Sequence, residues 1–192
     1  MRRHLVVITT AVLVLAGAAV AAFALLSDKV SSNLANEERE CCWEDGATPA
    51  WMSGQMGLGV PGAASDRRAG YKTGSRYDVG ILAFTLPSRD ADRYLAPLNP
   101  EGAGMIPNLH PEPENYRPAA PFGHLRLPEP EALVEGLRKG GLCPGDVEAP
   151  DGKHIRYCVD LFAHEFKPGA TRIYARATVE PGLTPPPAAS GE

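Results

Sequence analysis

Hydrophobic residues recur along this chain in three rhythms, and each predicts a different kind of element. Leu5 to Leu26 is a run of 22 residues without a charge. At about 1.5 Å per residue, a helix of that length spans roughly 33 Å, enough to cross a hydrocarbon core of about 30 Å. It has no polar face of the kind a helix on a soluble core would carry. Residues 78–86 are apolar on both faces through Val79, Ile81, Leu82, Ala83, Phe84 and Leu86, which predicts a strand covered on two sides. The third rhythm is alternation. Ile155, Tyr157, Val159, Leu161 and Ala163 alternate with His154, Arg156, Cys158, Asp160 and His164. Ile173, Ala175, Ala177 and Val179 alternate with Arg172, Tyr174, Arg176 and Thr178. These two strands predict a hairpin. Putting both apolar sets on one face requires odd residues opposite odd ones, which favours the odd-length loop Pro168-Gly169-Ala170 over a two-residue turn.

Two helices are predicted between these strands. After Pro87, Ser88 is placed to cap a helix with Asp90 and Asp92 in its first turn, and Ala91, Tyr94, Leu95 and Leu98 share one face. The second starts at Pro130, shows Leu133, Val134 and Leu137 as an apolar stripe, and stops at Gly140-Gly141. Phe122 to Leu127 reads as a short strand. Between Pro97 and Pro121 stand seven prolines in 25 residues, which predicts a long loop. Residues 41–76 are glycine-rich with little periodicity and read as irregular, and 182–192 as a disordered tail. The expected fold is therefore α+β: an N-terminal transmembrane helix, then a mostly antiparallel sheet with about two helices packed on one face. The domain boundaries expected are an apolar segment at 1–26, a stalk and irregular segment at 27–76, the α+β domain at 77–181 and the tail.

The basic flank decides orientation. Arg2 and Arg3 precede the apolar run and Lys and Arg are retained in the cytoplasm, so the N-terminus should stay inside and the remainder lie outside the plasma membrane. Ala18 to Ala24 also offers A-x-A-like sites for cleavage of a secretory signal, which would release the domain. The apolar run continues through Leu25 and Leu26, longer than a usual signal core, which favours a retained anchor. Without Arg2 and Arg3, 17 basic residues face 23 acidic ones, an acidic balance that argues against a nucleic-acid partner. The bias towards Ala, Gly, Pro and Arg resembles that of small exported single-span proteins of high-GC actinomycetes. The resemblance is one of composition and brings no motif with it.

All four cysteines, Cys41, Cys42, Cys143 and Cys158, follow the apolar run, and an even count outside the membrane suggests disulfides. Cys143–Cys158 closes a short loop, leaving Cys41 and Cys42 as a neighbouring pair or as free thiols. Crossed pairings would instead staple the N-terminal segment to the domain. A zinc site fits poorly, because neither pair has knuckle spacing. Glu38, Glu40, Glu44 and Asp45 around Cys41 and Cys42 would raise a thiol pKa and slow nucleophilic attack.

Other candidate chemistry is thin. Gly57-Leu58-Gly59-Val60-Pro61-Gly62 matches G-x-G-x-x-G in letters, but it follows no predicted strand and Pro61 interrupts it, so it reads as a turn. His164-Glu165 lacks the second histidine of a zinc-protease signature, since Pro168 occupies that place. His154, Asp160 and His164 share a strand face on which a metal would be opposed by Arg156 and Arg176. His110 and His124 have no assignable partner. No catalytic, cofactor or metal residue is expected. The expected role is that of a membrane-anchored extracytoplasmic domain binding a partner protein or envelope component, with the membrane itself engaged through Leu5 to Leu26. An exported hydrolase or thiol-active enzyme is the alternative.

Overall fold

The computed structural model describes residues 41–98, 104–113, 115–145 and 155–186. The apolar segment 5–26 on which the expected span rests lies outside them. Among the described residues, no helix is long and apolar enough to cross a membrane.

Among the described residues, six strands form one antiparallel sheet: β1 (Ser65–Lys72), β2 (Asp78–Pro87), β3 (Ile106–Pro107), β4 (Leu137–Leu142), β5 (Val159–Lys167) and β6 (Ala170–Val179). Their order is β1-β2-β6-β5-β4-β3, with α1 (Pro49–Met56) and α2 (Ser88–Leu95) completing an α+β fold. β2 lies inside the sheet and is covered on both sides, as its unbroken apolar run requires. Leu82, Phe84 and Leu86 join the helices in one core, while Ile81 and Ala83 point into a second. Met52 and Met56 of α1 and Ala91, Tyr94 and Leu95 of α2 lie in that first core, so both helices pack on the same face.

The hairpin has odd residues opposite odd ones, with Val159 facing Ala177, Leu161 facing Ala175 and Ala163 facing Ile173. The turn differs from the expected odd-length loop. Lys167 pairs with Ala170 across the two residues Pro168-Gly169, and a register shift between Glu165 and Lys167 absorbs the mismatch. A bulge of this kind adds one residue to one strand, so the tight turn and the buried register coexist.

Several local expectations are corrected by tertiary context. The stripe of Leu133, Val134 and Leu137 forms no helix. Pro130–Ala132 is a single 3-10 turn, Val134 is 55% exposed, and Leu137 opens β4, which runs through the two glycines. Pairing with β5 supplies the backbone partners that a short Gly-Gly-ended helix could not hold. Phe122–Leu125 is a 3-10 turn in place of a strand. The second helix is α1, inside the stretch read as irregular: Thr48 caps it by accepting from the Trp51 amide at 3.2 Å, and Pro49 opens it. The folded unit therefore takes in residues 49–72, well before 77. Ser88 is the first helical residue and makes no cap bond. Its hydroxyl donates to Glu165 at 3.0 Å and pairs with Thr171, fastening α2 to the hairpin. The tail starts later than expected, since Gly182 donates to Asp78 at 3.0 Å and Pro185 is buried.

The second face of the sheet is covered by chain of almost no regular structure. Ala120, Phe122, Leu125 and Leu127 pack over Ile81, Ala83, Phe162 and Tyr174. The proline-rich connection is thus a wall of the core in its later part, and it sets the shape of that face.

Candidate functional site

Arg176 organises the covered face. It stands on β6, is only 9% exposed, and points away from the helices. Its guanidinium donates to Glu131, to Glu129 at 3.1 Å and to the Ala120 carbonyl at 3.2 Å, and lies 4.9 Å above the Phe122 ring. A planar fork with five donors suits such a divided role, because it holds two carboxylates and a carbonyl from one segment at once. Glu129 also accepts from the Gly123 amide at 2.9 Å. Burial pushes the Glu129 carboxyl up, against the pull of those bonds and of Arg176. Asn108, 1% exposed, donates to the carbonyls of Glu131 and Leu133 at 2.9 and 2.7 Å, which ties the segment around β3 to the same wall.

Where this wall ends, a cleft of about 600 Å³ opens on the sheet, lined among others by Ile106, Tyr116, Glu131, Lys139, Gly141, Asp160 and Phe162. The strands explain its floor. Asp160 pairs with Arg176 on one side and with Gly141 on the other, so a missing side chain leaves open space beside the carboxylate. Lys139 faces the same way from its place opposite Phe162. Arg176 is already engaged by the two glutamates, and among the described residues Asp160 makes no hydrogen bond or ion pair. Asp160 is exposed, yet partial desolvation by its surroundings raises its carboxyl, with Arg176 opposing the rise and Glu131 adding to it. Burial also raises the Tyr116 phenol, with Glu131 reinforcing it. One oxygen of Glu131 is buried without a partner among the described residues.

The residues singled out from sequence are mostly elsewhere. His164 shares the Asp160 face but sits opposite Arg172, and burial first and Arg172 second push its imidazole below the usual range. His154 lies outside the described residues. His110 is exposed, and His124 stacks on Trp43. Gly57 is the left-handed residue that ends α1, with Leu58 fully buried behind it, so the glycine-rich run follows a helix and closes it. Cys143 and Cys158 are joined in a disulfide, which excludes the crossed pairings, and Cys41 and Cys42 are disulfide-bonded as well. No cysteine is left as a thiol. Among the described residues, no three His, Cys, Asp or Glu groups gather to hold a metal ion.

Of the cleft, the sequence pattern marked Asp160 alone. Glu131 and Lys139 fall where the pattern predicts a helix that does not form, and Tyr116 in the long proline-rich loop. The one usable signal was Arg176 and Asp160 at even positions of a hairpin whose even face turned out to be covered. Compared with protein-family models, curated proteins and solved structures, the chain has no match in any of the three.

Proposed function

We propose that this chain is a membrane-anchored, extracytoplasmic binding domain whose recognition site is the cleft beside Asp160, taking up a partner protein or envelope component. The anchor and topology rest on the uncharged run from Leu5 to Leu26 behind Arg2 and Arg3. The observation that carries the site is the carboxylate of Asp160, exposed and without a partner among the described residues, in a concave space with apolar sides, the usual composition of a ligand pocket. Engagement of all four cysteines in disulfides weighs against the thiol-enzyme alternative. A hydrolase keeps one point in its favour, since Asp160 and Glu131 line the same cleft. Glu131 is held by Arg176, however, and an ion-paired carboxylate is a poor proton donor.

The test is photo-crosslinking of the full-length chain in its native membrane, with the reactive residue at Ile106 on the cleft rim or at Arg76 as an exposed control. A discrete adduct formed from Ile106, absent from Arg76 and lost in Asp160→Asn, supports the reading. Equal labelling at both positions, or an Ile106 adduct indifferent to Asp160→Asn, overturns it.

A further inference from the structure

We propose that the cleft recognises the ammonium group of an alkylamine, held against Asp160 with its alkyl stem along Ile106 and Phe162. This rests on the binding reading above and gives it a ligand class. Charge points to a cation. Among the described residues, Glu131 and Asp160 line the cleft with Lys139, and Glu129 and Arg176 stand behind its wall, giving three carboxylates against two cations. Arg176 divides its donors between the two glutamates and the Ala120 carbonyl, so its charge is turned into the wall and away from a ligand. Among the described residues Asp160 has no donor; its carboxylate meets solvent from the cleft, and Glu131 adds negative potential behind it. An ammonium would supply the charge-assisted hydrogen bonds that Asp160 lacks.

Shape narrows the class. Gly141 leaves the floor beside Asp160 open, and Ile106, 58% exposed, and Phe162 give apolar sides suited to a methylene stem. A bare metal ion fits less well, because among the described residues two carboxylates line the space and the cationic Lys139 lines it with them. Among the described residues, an anion would meet the single lining cation Lys139 against those two carboxylates. The same alkylammonium chemistry occurs in a lysine side chain and in a free diamine, and the two are separable by experiment.

The experiment is calorimetric titration of the full chain in detergent with hexylamine, hexanol and hexanoate as matched probes. Hexylamine should bind at least about tenfold tighter than either, the effect of one charge-assisted hydrogen bond. Asp160→Asn should remove that preference. Lys139→Gln should tighten hexylamine several-fold by removing a like charge. Gly141→Leu fills the cleft without adding or removing a charge, its Cβ lying 4.0 Å from the Asp160 carboxylate in ordinary contact. A Cβ at Gly141 meets nothing closer than the Val159 carbonyl oxygen at 3.6 Å, so this variant should stay folded and lose binding. Hexylamine binding no tighter than hexanol, or binding unchanged by Asp160→Asn or Gly141→Leu, overturns the proposal. Nα-acetyl-lysine amide binding tighter than 1,5-diaminopentane assigns the group to a peptide, and the reverse order assigns it to a free diamine. Either order supports the amine. If hexylamine fails while the Ile106 adduct still depends on Asp160, the amine class falls and the binding site stands.

Discussion

The indole of Trp43 lies flat on the imidazole of His124, with ring centroids 3.8 Å apart and planes 3° from parallel. Eighty residues separate the two in sequence. The stack joins the segment paired with the end of β1, through the Trp43–Lys72 bridge, to the 3-10 turn that covers the second face. Burial holds the His124 imidazole below the usual range. A histidine lowered in the folded state stabilises the fold above its unfolded pKa of about 6.5, and that contribution fades as pH falls below it. Trp43→Ala should cost roughly 1–2 kcal/mol and let the His124 pKa rise toward its ordinary value. An NMR titration of the imidazole that matches the parent protein would refute this.

Asp78 is a second long-range clasp. It is 2% exposed and accepts from the Tyr71 hydroxyl, from Gly74 at 2.9 Å and from Gly182 at 3.0 Å. Burial alone would raise its carboxyl, but the three donors together hold it below the ordinary range, and burial with Asp78 pushes the Tyr71 phenol far up. A lowered acid stabilises above its unfolded pKa of about 3.9, and the gain is lost as pH falls through the lower folded value. Asp78→Asn should cost about 2–4 kcal/mol at pH 7 in urea unfolding, with the gap to the parent narrowing towards pH 2. A gap that widens on acidification would contradict the assignment.

Arg176 neutralises two carboxylates that are each 14% exposed. Arg176→Met should cost roughly 3–5 kcal/mol, because it strands both. Adding Glu129→Gln and Glu131→Gln should recover most of the loss. Equal stability of the single and triple variants would show that the charges matter little there.

Gly80 lets α1 lie on β2. A Cβ there would press into the Met52 sulfur and come within 3.1 Å of the Met56 methyl. Gly80→Ala should destabilise by about 1–3 kcal/mol. The pair Gly80→Ala with Met52→Ala should be less damaging than the separate costs predict, with a coupling of roughly 0.5–3 kcal/mol in a double-mutant cycle. Strict additivity would mean the helix simply shifts.

The Cys143–Cys158 bond spans 15 residues. Replacing both cysteines by serine should lower stability by about 3 kcal/mol through the freed loop entropy of the unfolded chain. An unchanged unfolding midpoint would mean that the segment is already constrained without it.

What could be read before folding was whatever depends on period. Alternation in 159–163 and 171–179 placed two strands and their odd-to-odd register, because a slip of one residue would carry the apolar set of one strand off the face that the helices cover. The alternation at 155–158 precedes β5, which begins at Val159. The doubly apolar run of β2 required cover on both sides, and the face of Ala91, Tyr94, Leu95 and Leu98 required a helix on that cover. Composition set the acidic balance, which does not depend on conformation, while the four cysteines left the number and pairing of disulfides to the fold.

Packing decided the remainder. Residues 137–142 became a strand because β5 offered partners, although their local pattern matched a helix cut short by glycines. The 118–131 segment suggests a short strand at 122–127 and a helix opening at Pro130, yet it became a core wall of 3-10 turns because Arg176 and Asn108 satisfy its polar groups. The cleft follows from the same cause. Its residues come from β3, β4, β5 and two loops, so their proximity is a property of the strand order, which no local interval of the chain encodes.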